Sequence, residues 1–211
     1  RFAQWPVPPA APPAANYDVA TDTVNDKTTL LMWERALPSA TGSSFAQAQA
    51  HCSTLRAGSF ADWRMPTRVE LLSLLDYGEA STKLDATMFS DRPIAPALTA
   101  FWTASSAPTS GEAWTVDVQA SDVATAAQSS ATLLVKCVRA GATPPAGPRY
   151  VVSNGTATDP RTGLVWQSAA RSGLGTVSDG QTYCAGLTLG AFSSGWRLPT
   201  IRELATLFDD T

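Results

Sequence analysis

The stretch WRMPTRVELLSLLD, from Trp63 to Asp76, returns as WRLPTIRELATLFD from Trp196 to Asp209, an offset of 133 residues. The same offset carries Tyr17 onto Tyr150, Asp26 onto Asp159, Thr29 onto Thr162, Leu31 onto Leu164 and Trp33 onto Trp166. Cys52 falls one residue past Cys184, so small compensating indels lie between these landmarks. A period this long exceeds that of solenoid repeats, which gives each copy the size of a domain. The chain must therefore carry one folding plan twice.

The first copy spans residues 17–141 and the second 150–211, with the Pro/Gly-rich stretch 142–149 as a linker. Residues 1–16 form a Pro/Ala-rich arm, expected to be extended. Thr211 stands opposite Gly78, so the second copy has no counterpart of FWTASS (Phe101 to Ser106), AWTVDV (Ala113 to Val118) or LLVKCVR (Leu133 to Arg139). The expectation is a chain cut inside a second domain. The alternative is a natural half-domain that another chain completes.

Local rules explain the repeated string. Thr67 and Glu70 have the spacing of a capping box, in which the hydroxyl accepts the amide of residue 70 and the carboxylate reaches back to the amide of residue 67; Thr200 and Glu203 repeat it. Pro66 and Pro199 push the residues before them into extended geometry. A helix is predicted after each cap, with Leu71, Leu74 and Leu75 inward, and Leu204, Leu207 and Phe208 likewise. Trp63 with Arg64, and Trp196 with Arg197, read as buried indoles with a guanidinium stacked or bonded to carbonyls. Glu70 and Asp76, six residues apart, do not align on one helix face as an acid/base pair should.

Upstream, SSFAQAQAHCSTL (Ser43 to Leu55) predicts a helix capped by Ser43 or Ser44, with Phe45, Ala48, Cys52 and Leu55 on its buried face. TTLLMWE (Thr28 to Glu34) and TGLVWQ (Thr162 to Gln167) read as strands after an Asp-containing turn. Short strands around Trp102 and Trp114 sit among long loops. The fold class is α+β, with two helices and antiparallel strands per full copy.

Cys52 and Cys137 enclose most of the first copy. If bridged they close a loop of 85 residues, worth roughly 4 kcal/mol on the chain-entropy model; the alternative is two buried free thiols. Cys184 has no assigned partner. His51 precedes Cys52, but neighbouring helical residues point about 100° apart, which argues against an activated nucleophile. With one histidine and no C-x-x-C, no zinc site is expected, and no cofactor is called for. A net charge of −3 gives no global basic field for nucleic acid, and no apolar run is long enough to span a membrane.

Trp102 and Trp114 lie beside Thr103, Ser105 and Asp117. Indole faces next to hydroxyls suit carbohydrate, so these five are the candidate ligand-binding residues. Packing in a strand core accounts for the same residues and is the favoured of the two readings.

The order Asp, Thr-x-Leu-x-Trp, a cysteine-bearing helix, Trp-Arg-x-Pro-Thr-x-x-Glu-Leu, Phe-Trp-Thr-Ala-Ser and Cys-Val-Arg resembles the bacterial family named for the C-terminal domain of the Legionella collagen-like protein. The resemblance covers Tyr17 to Arg139 in full and Tyr150 to Asp209 as a front half. It implies a variant of the C-type-lectin fold, in tandem, on an exported protein: extracellular, cell-surface or periplasmic. It implies adhesion or recognition of a carbohydrate or protein ligand, with sulfated glycosaminoglycans associated with the founding domain. The acidic pI of about 5.1 weakens transfer of polyanion binding, and the calcium-lectin strings Glu-Pro-Asn, Gln-Pro-Asp and Trp-Asn-Asp are absent. A second expectation is a structural subunit that self-assembles, its arm (Phe2 to Pro13, with Trp5) docking on a neighbour. Formylglycine-generating oxidases share the broad fold but use a reactive cysteine pair, which a structural Cys52–Cys137 bridge would not supply.

Overall fold

Among the described residues, four capping boxes decide where the backbone turns α-helical. In each, a hydroxyl accepts the amide three residues on and that residue's side chain bonds back: Ser44 with Gln47, Thr67 with Glu70, Thr176 with Asp179 and Thr200 with Glu203. They open α1 (Phe45–Thr54), α2 (Arg68–Ser73), α3 (Val177–Ala185) and α4 (Ile201–Ala205). These descriptions come from a computed structural model, which describes residues 16–94, 97–140, 148–173 and 175–207. The N-terminal arm up to residue 15, including Trp5, most of the linker (142–147) and Phe208 lie outside the described residues.

The strands of the first copy are β1 (Tyr17–Val19), β2 (Thr23–Asp26), β3 (Leu31–Glu34), β4 (Ala100–Ser106), β5 (Glu112–Asp117), β6 (Asp122–Ala127) and β7 (Val138–Ala140). They form an antiparallel sheet in the order β1-β2-β3-β7 and an antiparallel meander β4-β5-β6. Single bridges tie the parts together, Arg64 to Val138 and Phe101 to Leu134. In the second copy β8 (Val151–Ser153), β9 (Thr156–Thr158) and β10 (Val165–Gln167) repeat the β1-β2-β3 arrangement. The class is α+β, as expected.

The turn before β3 recurs before β10. The Asp26 carboxylate accepts the amides of Thr28 and Thr29, and Asp159 accepts those of Arg161 and Thr162. The next residue is left-handed in both copies, Leu30 at φ 59° and Gly163 at φ 74°. Glycine adopts that conformation freely; a leucine does so at a cost.

Two apolar clusters fill the first copy. One gathers Trp33, Leu71, Leu75, Phe101, Val116 and Leu134 between the sheet, α2 and the meander. The other surrounds the Cys52–Cys137 disulfide with Ala48, Trp63, Met65, Trp102 and Val135. The bridge is formed, with the two Cα atoms 5.4 Å apart, so the free-thiol alternative falls. Lys136 is buried beside it. Its ammonium donates to the carbonyls of Glu34, Arg35 and Ala36 and lies 4.5 Å from the centre of the Phe89 ring. Burial pushes its pKa down to about 8, against the opposing pull of Glu34 and Asp91.

The second copy buries less. Leu204 and Leu207, expected inward like Leu71 and Leu74, are 44% and 39% exposed against 0% and 4%. In the first copy Phe101, Val116 and Leu134 join Leu71 and Leu74 in one cluster; no described element lies in the equivalent place over α4. Instead α4 leans on α2. The Arg202 guanidinium donates to the carbonyls of Ser73 and Leu75 at the C-terminal end of α2, a favourable place for a cation. Ala205 joins the first copy's core.

Candidate functional site

Pro66 keeps the Trp63–Thr67 segment extended rather than helical. The backbone of Arg64 exchanges hydrogen bonds of 2.8 and 2.9 Å with Val138, and the Pro66 carbonyl accepts the amide of Ala104 at 2.7 Å. One side of this extended run faces α1 and the other β4. Between them opens a cleft of about 560 Å³. Gln49, Ala50 and Ser53 of α1 form one wall, Ala104 and Ser105 of β4 the other, and Trp63, Arg64, Met65 and Thr67 the floor.

Arg64 is the one charged side chain in that lining, and it is already paired. Its guanidinium meets the Glu70 carboxylate at two points, 2.6 and 2.7 Å, and donates to the Met65 carbonyl at 3.3 Å. Burial pushes the Glu70 carboxyl up, but the hydrogen bonds and charge of Arg64, with the donors of Thr67, outweigh it and leave it below the usual range. The Arg64 guanidinium is correspondingly raised by Glu70. Glu70 thus caps α2, through the amide of Thr67 at 2.8 Å, and neutralises the cleft floor. Arg197 and Glu203 repeat the fork at 2.5 and 2.8 Å in the second copy. The result is a cleft without net charge, its floor mixing Trp63 and Met65 with the paired Arg64 and Thr67, and its walls carrying hydroxyl and amide groups, a surface suited to hydrogen-bonding a neutral ligand.

Of the five residues predicted as a ligand face, Ser105 reaches this cleft. Its side-chain oxygen accepts the amide of Arg68 at 2.9 Å, starting α2. Trp102 is fully buried, its Nε1 donating to the Ser43 carbonyl and its ring edge-on to Phe45 at 5.3 Å. Thr103 is fully buried and donates to the Trp114 carbonyl at 2.6 Å. Trp114 is half-buried under the Arg68 guanidinium, 4.4 Å from the ring centre. Asp117 closes the β5–β6 turn, accepting the amides of Gln119 and Ala120 and the Thr99 hydroxyl. Trp102, Thr103 and Ser105 are thus buried, and Trp114 and Asp117 half-buried.

The repeated motif sits as architecture. Trp63 is buried, donating from Nε1 to the Ala57 carbonyl, and Trp196 is half-buried against Phe192. What the sequence reading missed is that Arg64 pairs with the cap residue Glu70. An arginine three residues before each cap, at residues 64 and 197, was the available signal.

It also missed the tie between α1 and β3. The His51 ring and Glu34 carboxylate are 2.8 Å apart, and Glu34 accepts the Cys137 amide with its other oxygen. At the corresponding place in the second copy the Tyr183 hydroxyl meets Gln167 at 3.1 Å. Glu34, His51 and Cys137 also place potential metal-ligand atoms within 4.8 Å of one another. The Cys137 sulfur is already covalently bonded to Cys52, so this donor set does not fit a metal.

Among the described residues no helix is long and apolar enough to cross a membrane. A family model described as the Lcl C-terminal domain matches residues 22–139 and again 155–211. No curated protein matches the chain.

Proposed function

The chain belongs to the Lcl C-terminal domain family, and on that premise we propose that it is a non-enzymatic binding module of a secreted or cell-surface protein. Its full copy has a C-type-lectin-like fold and takes a carbohydrate or protein ligand. The observation that carries the reading is the cleft between α1, the Trp63–Thr67 segment and β4, with its one charged lining residue neutralised by Glu70. A neutral floor with hydroxyl and amide edges favours an uncharged sugar or an extended peptide over a sulfated polyanion. The disulfide and the doubly bonded Arg64 keep those walls in place before a ligand arrives, which reduces the ordering cost of binding.

The test is an array of neutral glycans, sulfated polymers and matrix proteins probed with the purified chain. A neutral hit that weakens at least tenfold when Ala50→Trp fills the cleft, with thermal stability unchanged, is the expected result. A hit indifferent to Ala50→Trp moves the site elsewhere, and a blank array sinks the ligand reading.

A second reading, a structural subunit assembled through its domains, is favoured by one observation: the apolar side chains Val177, Ile201, Leu204 and Leu207 stand in water. Light scattering that finds a strict monomer at high concentration counts against it.

A further inference from the structure

In the first copy α1, β3 and the run before β7 meet at one point, and four side chains with metal-ligating atoms converge there. Glu34 ends β3, His51 and Cys52 lie in α1, and Cys137 precedes β7. One ligand atom each from Glu34, His51 and Cys137 lies within 4.8 Å of the others. Cys52 adds a fourth, since its sulfur is bonded to that of Cys137. Two thiolates, an imidazole and a carboxylate are donor types of a four-coordinate zinc site. Only the disulfide disqualifies them here, because the thiolate is the metal ligand and a bonded sulfur has no charge to offer.

The surroundings suit an ion once those sulfurs are free. Glu34 turns one oxygen to the His51 ring at 2.8 Å and accepts the Cys137 amide with the other at 3.2 Å, which fixes the direction of the carboxylate. Donors about 2.0–2.3 Å from a zinc ion stand roughly 3.3–3.8 Å apart at tetrahedral corners. The Cα atoms of the two cysteines, 5.4 Å apart, let their sulfurs part that far by side-chain rotation. Cys52, Cys137 and Glu34 are buried, while the His51 side chain is 30% exposed and marks the way in. The second copy shows that tying helix to strand needs no such groups. Tyr183 and Gln167 stand at the places of His51 and Glu34 and make the tie with a hydrogen bond of 3.1 Å.

We propose that the first copy, with its bridge opened, binds one zinc ion through Glu34, His51, Cys52 and Cys137. A dithiol reductant breaks the S–S bond by thiol–disulfide exchange. It leaves as its own disulfide, and each cysteine sulfur takes up one of its protons. The ion then replaces those two protons, which pass to solvent, and no further electrons move. The domain thereby exchanges a covalent staple for a coordinate one between the same elements, so α1 stays fastened to the sheet in a reducing medium. The proposal is independent of what the cleft binds.

The test titrates the full chain, carrying Cys184→Ser so that Cys52 and Cys137 are its only thiols, with cobalt(II) as a spectroscopic stand-in for zinc. The chain is first reduced by an immobilised dithiol and separated from it under argon. One cobalt per chain is expected, with the visible bands of a tetrahedral ion and a thiolate charge-transfer band, and zinc should bleach both. His51→Ala and Glu34→Gln should each weaken uptake roughly tenfold or more. Zinc should raise the melting temperature of the reduced chain and leave that of the oxidised chain unchanged. If reduction alone unfolds the chain, one equivalent of zinc should restore its native circular dichroism. The proposal is overturned by cobalt that is not tetrahedral, by uptake unchanged in either variant, by equal uptake in the oxidised chain, or by a zinc-loaded chain that stays unfolded.

Discussion

The first copy keeps Met65, Leu71 and Leu74 dry, while the second leaves Leu198, Leu204 and Leu207 wet, although the two motifs are nearly identical. Their caps and their arginine–glutamate forks are formed alike. The difference lies in what covers the helix: β4, β5 and the run leading to Cys137 in one case, and a partial contact with α2 in the other. An amphipathic pattern states which face a helix must bury, not whether the burying surface is present.

Several substitutions can break or sharpen this contrast. The largest effect is expected from the paired tryptophans. Trp33→Ala removes a fully buried ring and should cost about 3–5 kcal/mol, whereas Trp166→Ala, half-buried, should cost clearly less in the same denaturant titration. Equal losses would mean the two cores are equally tight. Next comes sulfur. Removing the first copy's bridge with Cys52→Ser plus Cys137→Ser should cost about 2–5 kcal/mol, while Cys184→Ser should change stability by less than about 0.5 kcal/mol. Differential scanning calorimetry reads both.

Lys136→Met leaves three carbonyls without their donor and should cost about 1–3 kcal/mol near neutral pH. It should also alter the pH profile. The folded-state pKa, about 8, lies below the unfolded value, which is about 10.4, so the unfolded chain binds more protons between those values. The native chain therefore gains stability as pH rises across that window. Urea titrations from pH 7 to 11 should show the gain in the native protein and lose it in Lys136→Met. The smallest effect has the opposite sign. Leu30→Gly copies Gly163 into the first turn at an exposed, left-handed position and should stabilise by up to about 1 kcal/mol; a measured loss would show that Leu30 packs more than its exposure suggests.

What was legible in the sequence was local or chemically specific. The boxes at Thr67 and Thr200 follow from two residues three apart, and the Cys52–Cys137 bridge from thiols on elements that enclose one copy. The cleft was not legible, because its walls come from residues 49–53, 63–67 and 104–105, and neither helix period nor strand alternation says which surfaces meet. Trp102 shows the same limit. Its neighbours Thr103 and Ser105 look like a sugar-binding edge, yet Trp102 and Thr103 bond to Ser43 and Trp114 away from the cleft, and Ser105, which does line it, accepts the Arg68 amide. Lys136 is invisible for a related reason: only the carbonyls gathered at the end of β3 make a buried ammonium tolerable.

The bridge between α1 and the run leading into β7 also sets a load path. Tension applied at the two flanks of the first copy passes from Cys52 to Cys137 through one covalent bond, so the intervening 85-residue span carries none of it. Fully drawn out, that span would add roughly 280–310 Å of length. Oxidised, the domain can be unravelled only at its ends; reduced, it would pay out its whole contour. A tether built from such units would have its reach under strain set by the redox state of its surroundings.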